Sequence, residues 1–162
     1  MITIGFSTRE IDNDYINHLK NSCGIKNVEI IPFENKGTHS LTEVYDILLK
    51  NAKNDIVVFC HDDIRVKTKK WGKRLLDHFN KSDYGILGVA GTYDYNESGT
   101  WWKNQNAMVG IVNHKNPNDG KEFESKYSAS VGDGIIPVVA LDGLFFAVDK
   151  NKIKYQFDTN IK

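Results

Sequence analysis

Only two of the 162 residues are cysteine, Cys23 and Cys60. Two thiols cannot make the dense bridge framework of a small secreted domain, and their spacing is not that of a paired-cysteine zinc site. Long apolar runs are missing too, since no segment approaches the length that spans a bilayer. The opening "MITIGFSTRE" has an apolar run too short for a signal peptide, with no basic flank before it. Net charge is absent: 21 lysines and arginines balance 21 acids. A neutral chain gives no electrostatic case for nucleic acid or an anionic membrane face as the main partner. Also lacking are a Walker-type glycine-lysine loop and a nucleophilic-aspartate motif at the first strand, which demotes phosphoryl transfer. The expectation is a single cytoplasmic domain over residues 1–162, with 40% hydrophobic and 26% charged residues.

What is present alternates. Ile2-Thr3-Ile4-Gly5-Phe6 reads as a short strand. Residues 11–22 suit a helix, with Ile11, Tyr15, Leu19 and Cys23 at four-residue intervals and Gly24 placed to end it. "VEIIPF" (28–33) is a second strand, expected to stop near Pro32. Ser40-Leu41-Thr42-Glu43 is a capping box opening a helix whose Leu41, Val44, Tyr45, Leu48 and Ala52 share a face. The strand Asp55–Cys60 is apolar on both sides, the pattern of a strand covered by helices in a parallel sheet. A basic helix with Trp71, Leu75, Leu76 and Phe79 is predicted over 68–80, with His78 on its exposed face. "YGILGVAGT" (84–92) follows as one strand. The strand–helix–strand rhythm argues for an open, mostly parallel sheet with right-handed crossovers. It breaks in the second half. There a hairpin over 109–131 turns at Asn116-Pro117-Asn118-Asp119-Gly120, offering a sheet edge or a homo-oligomer contact. Apolar runs over 135–149 flank Asp142-Gly143.

The third strand ends abruptly, "VVFCHDDIR", in His61-Asp62-Asp63. Ligands of open α/β sheets bind beyond the carboxyl ends of strands. If side chains alternate through this point, His61 and Asp63 share one side and Asp62 takes the other. Two charged carboxylates about 4 Å apart repel by roughly 4 kcal/mol at intermediate dielectric. A cation, solvent or divergence must relieve that. Oxygen ligands suit Mg²⁺ or Mn²⁺. Against this stands the plainer reading of both aspartates as solvated loop residues capping the next helix.

The run "SLTEVYDILLKNAKNDIVVFCHDDI" resembles the family 2 glycosyltransferases of GT-A fold, where such a strand ends in an Asp-X-Asp metal motif. Here His61 replaces the first acid, a variant similar to the subgroup of the streptomycin-biosynthesis StrF protein. Trp71-Gly72, Gly88–Thr92, Trp101-Trp102 and Val138–Gly143 match further blocks in order, so the likeness runs from residue 1 to about 158. It implies a Rossmann-like, three-layer α/β/α fold with a nucleotide-binding half over about 1–92 and an acceptor-side half over 93–162. It implies inverting transfer from a nucleotide-sugar donor, most simply a uridine diphosphate sugar, to a glycan or other hydroxyl acceptor, with Mn²⁺ or Mg²⁺.

By that resemblance Thr8, Arg9, Glu34, His61 and Asp62 attend the nucleotide, and Asp63 is the metal-binding acid. Trp101, Trp102 and Gly143 lie on the sugar and acceptor side, with Asp142 as candidate base. Tyr45 falls where many members carry arginine, and Asp46 where they commonly carry asparagine. Phe157-Asp158 matches the lead-in to a segment that supplies the base in the family, and the sequence given stops at Lys162. A non-catalytic nucleotide-sugar or glycan-binding module is therefore the alternative. Each residue also has a plainer use: Arg9 as a surface residue, the tryptophans as packing anchors, Asp142 as a cap on the Gly143 turn. His39, His78 and His114 are expected to do nothing catalytic.

Overall fold

A computed structural model describes residues 1–94, 100–127, 134–154 and 156–161. The chain folds as two compact units, residues 1–87 with 146–162 and residues 88–145. The class is mixed α/β, as the alternating pattern predicts.

The first unit carries β1 (Ile2–Thr8), α1 (Asn13–Cys23), β2 (Glu29–Glu34), α2 (Leu41–Asn51), β3 (Ile56–Cys60) and α3 (Trp71–Lys81). With β4 (Ile86–Gly88) and β9 (Phe145–Asp149), its strands form a sheet of order β2-β1-β3-β9-β4. β1 runs parallel to both β2 and β3. All five residues of β3 are buried, which is why both of its faces are apolar in sequence. Phe59 is the hub of the core on the α2 side. Its ring lies 4.8 Å from Tyr45, 5.1 Å from Phe146 and 5.2 Å from Phe157.

Three local expectations need correction. Ile11 lies outside α1 and is exposed, because Asp12 caps the helix and starts it at Asn13. Pro32 does not stop β2; it pairs with Phe6 in mid-strand. β2 is the sheet edge, where a missing N–H breaks no ladder. Leu41 is exposed at the first turn of α2 rather than sharing its buried face.

The second unit holds β5 (Ala90–Thr92), β6 (Met108–Lys115), β7 (Glu122–Lys126) and β8 (Ala140–Leu141), an antiparallel sheet of order β7-β6-β5-β8. The stretch read as one strand over 84–92 is thus two, β4 and β5, in different sheets. The chain changes sheet at Val89, whose N–H donates to the Phe145 carbonyl at 3.3 Å. The expected hairpin is present as β6 and β7, closed by the Asn116 N–H donating to the Lys121 carbonyl at 2.9 Å. The last residues of its expected span, from Ser128, lie outside the described residues. Among the described residues no helix is long and apolar enough to cross a membrane.

Candidate functional site

Where β1, β2 and β3 end, the segments that follow them wall a groove of about 1000 Å³. Residues Ser7–Asn13 form one wall, Asn35, Gly37 and Leu41 another, and Asp62 a third.

Each wall has a local cause. The buried Thr8 hydroxyl donates to the Glu10 carbonyl at 2.7 Å, so it shapes the turn that presents the exposed Arg9. Asp12 Oδ1 accepts the N–H groups of Asp14 and Tyr15 at 2.8 and 3.2 Å, which satisfies two orphan donors and starts α1. After β2, Asn35 Oδ1 accepts from the N–H groups of Gly37, Thr38 and His39. Its amide donates to the His39 carbonyl. The Asn35 side chain is thereby committed to its own turn. α2 then begins with the capping box read in the sequence, Ser40 N–H donating to Glu43 at 2.7 Å.

The acids after β3 depart from their predicted geometry. β3 ends at Cys60, and Asp62-Asp63 form a turn, so strand alternation does not apply to His61 and Asp63. Asp62 is the side chain that lines the groove; Asp63, next in the turn, is exposed and outside its wall. Behind them the chemistry is closed. Burial pushes the Cys60 thiol up to about 12 and drives the Tyr15 phenol far above its ordinary range. Neither group ionises near neutral pH, so neither is a nucleophile.

The fold therefore gathers Thr8, Arg9 and Asp62 around one groove. Glu34 and His61 stand at the ends of β2 and β3, outside the wall, and Glu34 pairs with Lys36 at 2.7 Å. Sequence reasoning missed Glu10, Asp12, Asn35 and Leu41 as groove residues. Asp12 before the helix and the Asn35-Lys36-Gly37 turn were the signals for two of them.

The remaining candidates belong to the second unit. Asp142 is half-buried, and its Oδ1 accepts the Leu144 N–H at 2.7 Å across the Gly143 turn. One carboxylate oxygen thus performs the capping role. Trp102 is exposed, and Trp101 meets it edge-on at 6.0 Å and Tyr127 edge-on at 6.1 Å.

Among the described residues no three His, Cys, Asp or Glu side chains gather to hold a cation by themselves. An ion that shares its shell with a ligand needs fewer protein donors, for Mg²⁺ commonly takes one or two carboxylates and completes its shell with phosphate oxygens and water. The lining residues include three acids, Glu10, Asp12 and Asp62, and one base, Arg9. An anionic ligand entering that lining needs a counter-charge.

Comparison with curated proteins gives no match. A family model does match, and it spans residues 9–160, from the groove arginine to the final turn. The chain belongs to the glycosyltransferase like family.

Proposed function

We propose that the protein is a metal-dependent inverting glycosyltransferase of GT-A type, in the StrF-like subgroup. It moves a sugar from a uridine diphosphate donor to a hydroxyl acceptor. The observation that carries this is the groove beyond β1, β2 and β3, with Arg9 and Asp62 on its walls, in a chain of glycosyltransferase family. Arg9 offers the diphosphate a planar, permanently charged donor. Asp63 and Asp62 are the carboxylates that would hold Mn²⁺ or Mg²⁺ beside it. That ion, when bound, supplies charge to stabilise the departing diphosphate.

In the transfer, the bond from the anomeric carbon to the diphosphate oxygen breaks and a bond to the acceptor oxygen forms on the opposite face. The acceptor's proton goes to a base. Within the second unit Asp142 is the candidate that the resemblance offers, with Oδ1 engaged at its own turn. Trp101 and Trp102 offer aromatic faces to the apolar side of a sugar.

Thermal unfolding with uridine diphosphate, with and without Mn²⁺, tests the reading. Ligand at about 100 times its dissociation constant adds roughly 2.7 kcal/mol of stability. That gain is expected to need Mn²⁺ and to vanish in Asp62→Ala, the acid on the groove wall. A wild-type protein that no nucleoside diphosphate stabilises, with or without metal, ends the proposal. Release of uridine diphosphate from a donor sugar in the presence of an acceptor separates the enzyme from a binding module.

A further inference from the structure

The chain from His61 to Gly72 lies along α1 and is tied to one stripe of it. Tyr15, His18 and Ser22 recur at three- and four-residue intervals, so they share a helix face. Each takes a successive point of the loop. Tyr15 Oη donates to the His61 carbonyl, and the Arg65 guanidinium sits over its ring at 5.0 Å. His18 Nε2 accepts the Val66 N–H at 2.9 Å. The Ser22 carbonyl accepts the Lys70 N–H at 2.7 Å, and its hydroxyl accepts from Trp71 Nε1 at 3.0 Å.

Past the helix the two segments touch. A Cβ on Gly24 would stand 2.8 Å from Lys70 Cα, and one on Gly72 would overlap Cys23 Sγ. Lys70 itself holds a φ of 59°, a left-handed conformation that a residue with a side chain adopts only when its surroundings impose it.

Simply joining β3 to α3 does not require ties at so many points. What they fix is the turn that carries the two acids. We propose that Tyr15 and His18 are positioning residues, which fasten the loop to α1 so that Asp62 and Asp63 are held ready for the donor and its cation. This rests on reading the groove as the donor site.

The His18 tie is conditional. Nε2 accepts a hydrogen bond only while it carries no proton. Burial, and after it the Arg65 guanidinium, holds His18 below the ordinary imidazole range, so the accepting form prevails at neutral pH. Arg65 is the charge that acts on it; Asp14 lies one turn back on α1, Lys67, Lys69 and Lys70 belong to the loop, and α3, which packs on α1, carries Lys73 and Arg74. In acid the protonated ring and the Val66 N–H become two donors facing each other, and the loop is released there.

Hydrogen exchange at the Val66 amide and calorimetric titration with Mn²⁺ and uridine diphosphate test this in wild type, His18→Ala, His18→Gln and Tyr15→Phe. His18→Ala is expected to lose Val66 protection and to bind Mn²⁺ with uridine diphosphate about three- to tenfold more weakly, the worth of one hydrogen bond. Tyr15→Phe should weaken binding similarly. His18→Gln, whose amide oxygen can accept the same N–H, should restore both readouts. Wild type should then lose affinity relative to His18→Gln as pH falls below the usual histidine range. Unchanged Val66 protection in His18→Ala overturns the proposal, as does lost protection with unaltered affinity. Absence of nucleotide binding in wild type at every pH removes the donor-site reading itself, and this proposal with it.

Discussion

The two units solve burial by different means. In the first, β1 and β3 are buried almost throughout, and large side chains from α2, β3 and β9 interlock around Phe59. In the second, β6 alternates between half-buried and exposed residues from Gly110 on, and Ile111, Phe123 and Val139 remain 46%, 55% and 64% exposed. Its strands instead come together where side chains are missing. A Cβ on Gly91 would overlap the Ala140 carbonyl, and one on Gly110 the Val89 carbonyl. One unit is shaped by what fills its interior, the other by how closely its backbones approach. Removing bulk should therefore harm the aromatic core around Phe59, and adding bulk the strand contacts at Gly91 and Gly110.

The sharpest way to break that contrast is Phe59→Ala. It deletes a fully buried ring with three aromatic neighbours and is expected to lower unfolding free energy by about 3–5 kcal/mol in chemical denaturation. A loss below about 1 kcal/mol would mean that the core collapses around the hole. Next is Gly110→Ala, where a φ of 123° and the Val89 carbonyl both oppose a side chain; about 1–3 kcal/mol should be lost by the same assay.

Glu29→Gln probes the edge of the first unit and should cost about 1 kcal/mol at neutral pH. Glu29 Oε2 accepts from Thr3 Oγ1 at 2.7 Å and from the Lys53 N–H at 2.9 Å. Partial burial pushes its pKa up, but those bonds and the Lys53 charge outweigh it, and the net shift is downward. A lowered folded pKa means stability that is present above the ordinary value of 4.5 and lost as pH falls through the folded one. The gap between wild type and variant should close in that acid range. The smallest effect is expected for Phe123→Ala, within about 0.5 kcal/mol, because the ring is exposed and stacks on the His114 face at 4.9 Å.

The same contrast explains what could be read from the chain. β3 was legible because a strand buried on both faces needs an unbroken apolar run, and α2 because Ser40 and Glu43 announce its start. β4 and β5 were not, since three residues carry too little periodicity to reveal a change of sheet at Val89. Pro32 misled because edge position, which excuses a missing N–H, is a property of the assembled sheet. Arg9, expected from the family resemblance, and Asp62, expected from the polar cluster that ends an apolar strand, both line the groove. The turn at Asp62-Asp63 was not legible, because nothing in "HDDIR" states that the strand stops at Cys60. Nor could sequence show that Glu34 would pair with Lys36 while Asn35 took the groove wall.

Cys23 and Cys60, both out of solvent and both raised above the ordinary thiol range by burial, give the molecule an internal clock. Alkylating reagents attack the thiolate, so modification must wait for the fold to open. Cys23 reports when the junction of α1 with α3 parts, and Cys60 when the central strand is laid bare. Two labelling rates on one chain would then time the loosening of the loop's anchorage against the melting of the sheet.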